Sequence, residues 1–256
     1  MTISSNIITL DTTSPKSIID AQEALVRNGY NIRVDGVLGP KTQAALDDYN
    51  NKINTSVVNS HIDRIAKQAT IVPIAKSILD VANSYVGQEE ISGNLGFKTP
   101  FFHKLMVGVG FQKTHPWCSY FAELCWREGY KKALPNRDGI DSIINSLFSA
   151  SVMQTRNNFV TRGKKYGFEF SNIPTKGSLV IYQSATNKSF GHIGIVESIG
   201  NGKFNTIEGN TDKVGSREGV IVAKKTRDLD FKVKTSGLNL IGFIALSDFI
   251  DYFEVT

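Results

Sequence analysis

Apolar positions recur at intervals of three and four through Ile18, Ile19, Ala21, Leu25 and Val26, with Gln22 among them, and predict a helix. Ser14 is placed to cap it, Pro15 suits its first turn and Gly29 stops it. Asp35-Gly36 and Gly39-Pro40 are turn signals, and Pro40 opens a second helix through Thr42, Ala45, Leu46 and Tyr49. Residues 51–60, rich in Asn, Ser and Thr, read as a linker, followed by a linking helix over 62–69 and by Pro73, which ends it or starts the next element. A second stripe, Ala75, Ile78, Leu79, Ala82, Tyr85 and Val86, runs to Gly87. A short helix is expected over 101–107, an amphipathic one over 117–130 and another over 140–153. After Gly177 the period changes to two, predicting strands at 178–182, 192–199, 204–208, 219–223 and 241–246. Helices first and strands afterwards describe an α+β domain, helices packed on an antiparallel sheet, preceded by a small all-α domain. The expected boundaries are 1–55 for the helical domain, 56–73 for the linker and 74–256 for the larger domain.

Composition narrows the classes. With 41% hydrophobic and 21% charged residues the chain is an ordinary globular one, neither disordered nor collagen-like. No apolar run approaches the ~18–20 residues a membrane helix needs. The stretch from Ile7 to Leu10 is too short for a signal peptide, so synthesis is expected in the cytoplasm, with export by another route. Cys118 and Cys125 on one helix would lie about 10 Å apart, beyond the ~7 Å a disulfide tolerates, so both are expected as free thiols. The net charge of +5 is uneven: residues 1–60 carry five basic and six acidic side chains, the remainder 24 and 18. A basic larger domain suits an anionic target. The pairs Lys131-Lys132, Lys164-Lys165 and Lys224-Lys225 lack interleaved aromatics, so no nucleic-acid partner is expected.

One cysteine sits where chemistry favours a nucleophile. Pro116-Trp117-Cys118-Ser119 puts Cys118 in the first turn of a helix, where unpaired N–H groups and the positive helix end stabilise a thiolate. Cys125 lies two turns deeper on the apolar face and reads as an inert core residue. A base is available in Gly191-His192-Ile193-Gly194, and the next strand offers Glu208 and Asn210 on one face. Cys, His and a carboxylate or amide that orients the imidazole make the thiol form of a catalytic triad. Strand register tests this. A two-residue turn at Asn201-Gly202 would put His192 and Glu208 on opposite faces, whereas a three-residue loop over 200–202 pairs Gly194 with Glu208 and His192 with Asn210. The three-residue loop, or another odd-numbered one, is the expectation.

Two sets of motifs resemble known families. Gln22-x-x-Leu25, Gly29-Tyr30, Asp35-Gly36-x-Leu38-Gly39-Pro40-x-Thr42 and Ala45-Leu46 are similar to the helical peptidoglycan-binding domain of cell-wall hydrolases. That resemblance implies contact with the wall near Asp35 and Thr42, although each residue on its own suits a turn-shaping role. Gly87-x-x-Glu90, Pro116-Trp117-Cys118-x-x-Phe121, Lys176-Gly177-Ser178, Gly191-His192-Ile193-Gly194 and Thr206-Ile207-Glu208-Gly209-Asn210 resemble the CHAP amidohydrolase/peptidase domain, a papain-like fold. The resemblance implies Cys118 as nucleophile, His192 as base, Glu208 as its orienter, Asn210 as an aid to the histidine or the oxyanion, and Trp117 and Gly191 as substrate contacts. It implies a peptidoglycan amidase or endopeptidase, acting as a monomer without a cofactor. Some CHAP enzymes carry an aspartate-rich calcium loop before the cysteine. Residues 108–117 hold no carboxylate, so no calcium is expected there, and His103 and His115 are too sparse to suggest a metal. Phe97 to Lys113 and Gln154 to Phe170 are the expected cleft loops. The implied setting is a phage endolysin released to the wall through a holin; an injected antibacterial effector and a non-catalytic wall-binding or tail component are the alternatives.

Overall fold

The computed structural model describes residues 7, 8, 10–212 and 219–249, and the chain divides into two compact units, residues 1–68 and 69–256. In the first unit, helix α1 (Pro15–Arg27) begins at Ser14, whose side chain accepts from Ser17 N, and Pro15 occupies its first turn. Helix α2 (Pro40–Ser84) follows. Leu25, Ala45 and Leu46 form a small core, joined by Tyr30, Ile32 and Tyr49.

Between these helices the turn is built around one buried amide. Gln22 Oε1 accepts from Asp35 N at 3.0 Å and Gly36 N at 2.9 Å. Its Nε2 donates to Asp35 Oδ1, Val37 O and Thr42 Oγ1 at 3.0, 3.0 and 3.2 Å. The expected wall contacts Asp35 and Thr42 are therefore both engaged inside the turn, and Thr42 is buried. Gln22→Ala would leave several of these groups unsatisfied, at a cost of about 2–3 kcal/mol. It is expected to speed amide exchange throughout residues 15–50, read by hydrogen–deuterium exchange, with exchange in the second unit unchanged.

The polar stretch at 51–60, expected as a linker, is helical. No Gly or Pro interrupts residues 41–72, and Asn, Ser and Thr each cost a helix only about half a kcal/mol. Pro73 lies inside α2 and cannot donate to the carbonyl four residues earlier, next to the division between the units.

The second unit is α+β. After α2 come α3 (Pro100–Gly108), α4 (Cys118–Ala133), α5 (Ile140–Leu147), α6 (Val152–Thr161) and a 3-10 turn (Gly163–Tyr166). The single helix expected over 140–153 is two. Phe148 is extended, and Ser151 starts a new helix by capping Gln154 N. The strands are β1 (Phe170–Ser171), β2 (Leu179–Ser184), β3 (Gly191–Gly200), β4 (Lys203–Thr211), β5 (Ile221–Asp228) and β6 (Leu238–Ile244). They form one antiparallel sheet in the order β1-β6-β2-β3-β4-β5. One face, with Leu179, Ile181, Ile193, Ile195, Ile207 and Val222, packs against α4 and its neighbours; Val180, Tyr182, Val196, Phe204 and Phe243 make a second core on the other.

Candidate active site

Cys118 is the first residue of α4, and its position is fixed by the residue before it. Trp117 is wholly buried, donates from Nε1 to the buried carboxylate of Glu90, and packs edge-on against Phe97 at 5.0 Å. This corrects the expectation that Trp117 contacts substrate: its indole lies in the core and holds the start of the helix. Gly209 lets it, since a Cβ there would lie 2.6 Å from the Trp117 ring.

The β3–β4 hairpin brings the base and its partner together by a route the sequence reading did not foresee. The turn has two residues, Asn201 and Gly202, both at positive φ (53° and 70°), in place of the expected three. Ser198 pairs with Asn205 and Ile199 with Phe204, the register that separates His192 from Glu208. Between Val196 and Ser198 the strand bulges, and beyond it Val196 pairs with Thr206 and Ile195 with Ile207. One extra residue, Glu197, thus shifts the pairing by one, and Glu208 returns to the face of His192.

His192 Nε2 lies 2.9 Å from Glu208 Oε2. Cys118 lies close enough to the His192 ring to raise its pKa. Cys118, His192 and Glu208 are 4%, 2% and 0% exposed. Burial pushes the His192 pKa down, but hydrogen bonding and charge attraction from Cys118 and Glu208 outweigh it and raise the imidazole to about 9. Burial raises Glu208, yet His192 and Arg227 hold it at about 2. Cys125 is fully buried, and burial pushes its thiol up, as befits a core residue.

Three residues around this chain were not foreseen. Arg227 donates from Nε to Glu208 Oε1 at 2.9 Å and from Nη2 to Oε2 at 2.5 Å, a two-pronged grip. Thr206 donates to Glu208 Oε1 at 2.5 Å. The Tyr182 ring lies 6.4 Å from the His192 ring, with the Arg227 guanidinium 5.4 Å from its centre. Thr206 was legible as the residue two before Glu208 on the same strand face. Arg227 was not, because the expected strand ended at Ala223, before the charged run Lys224-Lys225-Thr226-Arg227 that continues β5.

Asn210 stands apart. Its φ is 54°, and the β4–β5 pairing shifts between Glu208 and Thr211, so simple alternation does not carry it to the face of Glu208. Its Oδ1 is buried without a hydrogen-bond partner among the described residues. Gly191 is half-buried, with Val152 and Met153 beside it. His115 Nδ1 lies 3.1 Å from Tyr120 OH, and His103 Nδ1 accepts from Phe97 N at 3.4 Å. Gln154 to Phe170, expected as a cleft loop, is largely helix α6 and the 3-10 turn. A groove of about 630 Å³, lined by Phe101, Lys104, Leu124, Arg127, Lys131 and Lys132 among others, contains none of the residues assigned to the site.

Glu208 reaches His192 across Gly194, where a Cβ would lie 2.7 Å from Glu208 Cγ. Gly194→Ala must displace that side chain. Because misplacing a catalytic group by about 1 Å can cost ~10²-fold, kcat/KM is expected to fall by about that factor. Overpacking should cost stability only about 1–3 kcal/mol. Parallel measurement of rate and thermal midpoint checks both.

A helix-start thiol beside an imidazole that a buried carboxylate orients is an arrangement for nucleophilic acyl transfer. Residues 110–210 match the CHAP domain. The matched region contains Cys118, His192, Glu208 and Asn210, and CHAP domains are typically amidase or endopeptidase hydrolases of peptidoglycan. No curated protein and no solved structure matches the chain. Arg227 of the clamp lies beyond the CHAP match, on the edge strand β5.

Proposed function

We propose that the protein hydrolyses an amide bond of peptidoglycan with Cys118 as nucleophile, His192 as general base and acid, and Glu208 as the group that orients and charges His192. The observation that carries this reading is the buried cluster in which the imidazole, hydrogen-bonded to the Glu208 carboxylate, has the Cys118 thiol close enough to raise its pKa. Raised to about 9 by Cys118 and Glu208, His192 is a strong enough base to take the Cys118 proton as the sulfur attacks. Sγ attacks the scissile carbonyl, and the carbonyl oxygen takes the negative charge near the free N–H groups of the first turn of α4. As the C–N bond breaks, His192 gives its proton to the leaving nitrogen. His192 then takes a proton from water, whose oxygen attacks the thioester carbonyl and releases Cys118.

In the same reading the helical unit at the N-terminus (residues 1–55) holds the enzyme to the wall, residues 56–73 connect it to the catalytic part, and the protein is a phage endolysin acting as a monomer. The test is digestion of purified sacculi from several wall types, with mass spectrometry of the released material. The expected result is new amino termini with intact glycan chains, identifying the bond. Retained binding to sacculi with no release from any wall type would instead support a structural wall-binding component.

A further inference from the structure

The groove between α3 and α4 serves none of the chemistry described above. Its volume of about 630 Å³ falls within the roughly 300–1,000 Å³ of ligand pockets. Val81, Leu105, Val109 and Leu124 make its floor apolar. Phe101, 66% exposed, and Lys104 stand three apart on α3 and share one face of it. On α4, Leu124, Arg127, Glu128 and Lys131 recur at three and four and form the opposite side, with Lys132 next to them.

The charges of the groove fall into two sets. Arg127 donates from Nε and Nη2 to the two oxygens of Asp141, both at 2.8 Å. Glu128 Oε2 accepts from Tyr85 OH at 3.3 Å. Both acidic side chains of the lining are therefore engaged within the fold. Lys104, Lys131 and Lys132 are exposed and form no ion pair among the described residues. Asp141 and Asp80 feel Lys131 and Lys132 only through longer-range attraction. An apolar floor rimmed by three such ammonium groups is complementary to a chain that carries both carboxylates and small apolar groups. A bare polyanion would leave Phe101 and Leu124 without a partner. The peptide stems of peptidoglycan, with their free carboxylates and alanine methyls, have both kinds of group.

We propose that this groove is a second, non-catalytic site that takes an acidic peptide stem of peptidoglycan. The choice of ligand rests on the peptidoglycan reading above; the groove as a site for an acidic peptide does not. Cys118 opens α4 and Lys131 lies in its last turn, roughly 20 Å along the axis. One helix thus fixes the spacing of the two sites. A polymer with many stems can occupy both, and the second contact makes engagement of the first effectively intramolecular.

The first measurement uses Cys118→Ala, which cannot turn over the probe, and follows its backbone amides by NMR. N-acetyl-L-alanyl-D-glutamate, the first two residues of a stem, is expected to shift the amides of Leu105, Leu124 and Lys131. Its neutral diamide is not, and adding Lys131→Glu with Lys132→Glu should abolish the shifts. Absence of shifts with the acidic probe, or shifts that survive the double reversal, overturns the site. The second measurement uses the enzyme with Cys118 intact. On sacculi the double reversal is expected to raise KM about tenfold at low salt, since each exposed charge contact is worth up to about fivefold, with kcat unchanged. On a small soluble stem peptide, too short to reach both sites, kcat/KM should stay at the wild-type value. The difference on sacculi should persist after hydrofluoric acid strips phosphodiester polymers from them. Loss of the difference on stripping would assign the groove to a phosphate polymer and overturn the stem. If the wild type cuts no wall material, the hydrolase reading fails, and the titration of Cys118→Ala still decides the groove.

Discussion

Cys118→Ala is expected to lower kcat/KM on peptidoglycan by about 10⁴-fold or more, the scale on which nucleophile loss acts in triad enzymes. The fold should persist, because the substitution removes one sulfur from a nearly buried site and leaves the Trp117–Glu90 anchor in place. The variant also has a signature that a merely structural cysteine would not give. Cys118 is one of the two partners that raise His192 to about 9, so without it the imidazole should titrate lower, which NMR of the ring can follow. The sign in stability follows. A histidine whose folded pKa lies above its unfolded value of 6.5 contributes stability that is full below pH 6.5 and lost as pH rises through about 9. In Cys118→Ala that alkaline loss should shrink and be complete at lower pH. An active variant, or a His192 titration identical to the wild type, would remove Cys118 from the mechanism.

The site was partly legible in the sequence, and the boundary of legibility is physical. Cys118 was visible because a Pro-Trp-Cys run ahead of an amphipathic stripe marks a helix start, and the structure begins α4 there. His192 and Glu208 were visible as polar residues in strands of otherwise apolar period. Their mutual face was argued from the wrong turn. Asn201-Gly202 is the stronger hairpin signal and forms the tight turn, and the bulge at Glu197 then restores the pairing. A bulge has no local sequence signal comparable to Asn-Gly, because it is fixed by what the two ends of the strand must each meet. Arg227 escaped notice because alternation was followed only as far as the apolar residues of β5, while edge strands carry charge. Residues 51–60 were misread for the opposite reason: polarity was taken for a loop, yet without Gly or Pro the backbone had no cause to leave the helix.

Glu208→Gln is expected to separate two functions that this carboxylate combines. It preserves shape and removes charge. His192 loses the partner that orients it and favours its imidazolium, so its pKa should fall, and with it its strength as the base for Cys118. A loss of about 10²–10⁴ in kcat/KM is expected, the range for disabling the orienting acid of a triad. The alkaline limb of the pH–rate profile, near pH 9 in the wild type, should move to lower pH. Stability should fall too, because the half-buried Arg227 loses the acceptor of both its prongs, at about 3 kcal/mol for a broken, partly screened pair. That penalty has a defined pH window. Glu208 is held near 2 against an ordinary 4.5, so its contribution is full above pH 4.5 and disappears as pH falls through about 2, where wild type and variant should converge. The decisive comparison adds Arg227→Met to Glu208→Gln. Removing both charges should restore most of the lost stability, since an apolar replacement of a buried pair is often neutral. It should not restore the rate, because His192 still lacks its carboxylate. Recovery of activity along with stability would show that Glu208 serves the fold through Arg227 rather than the chemistry through His192.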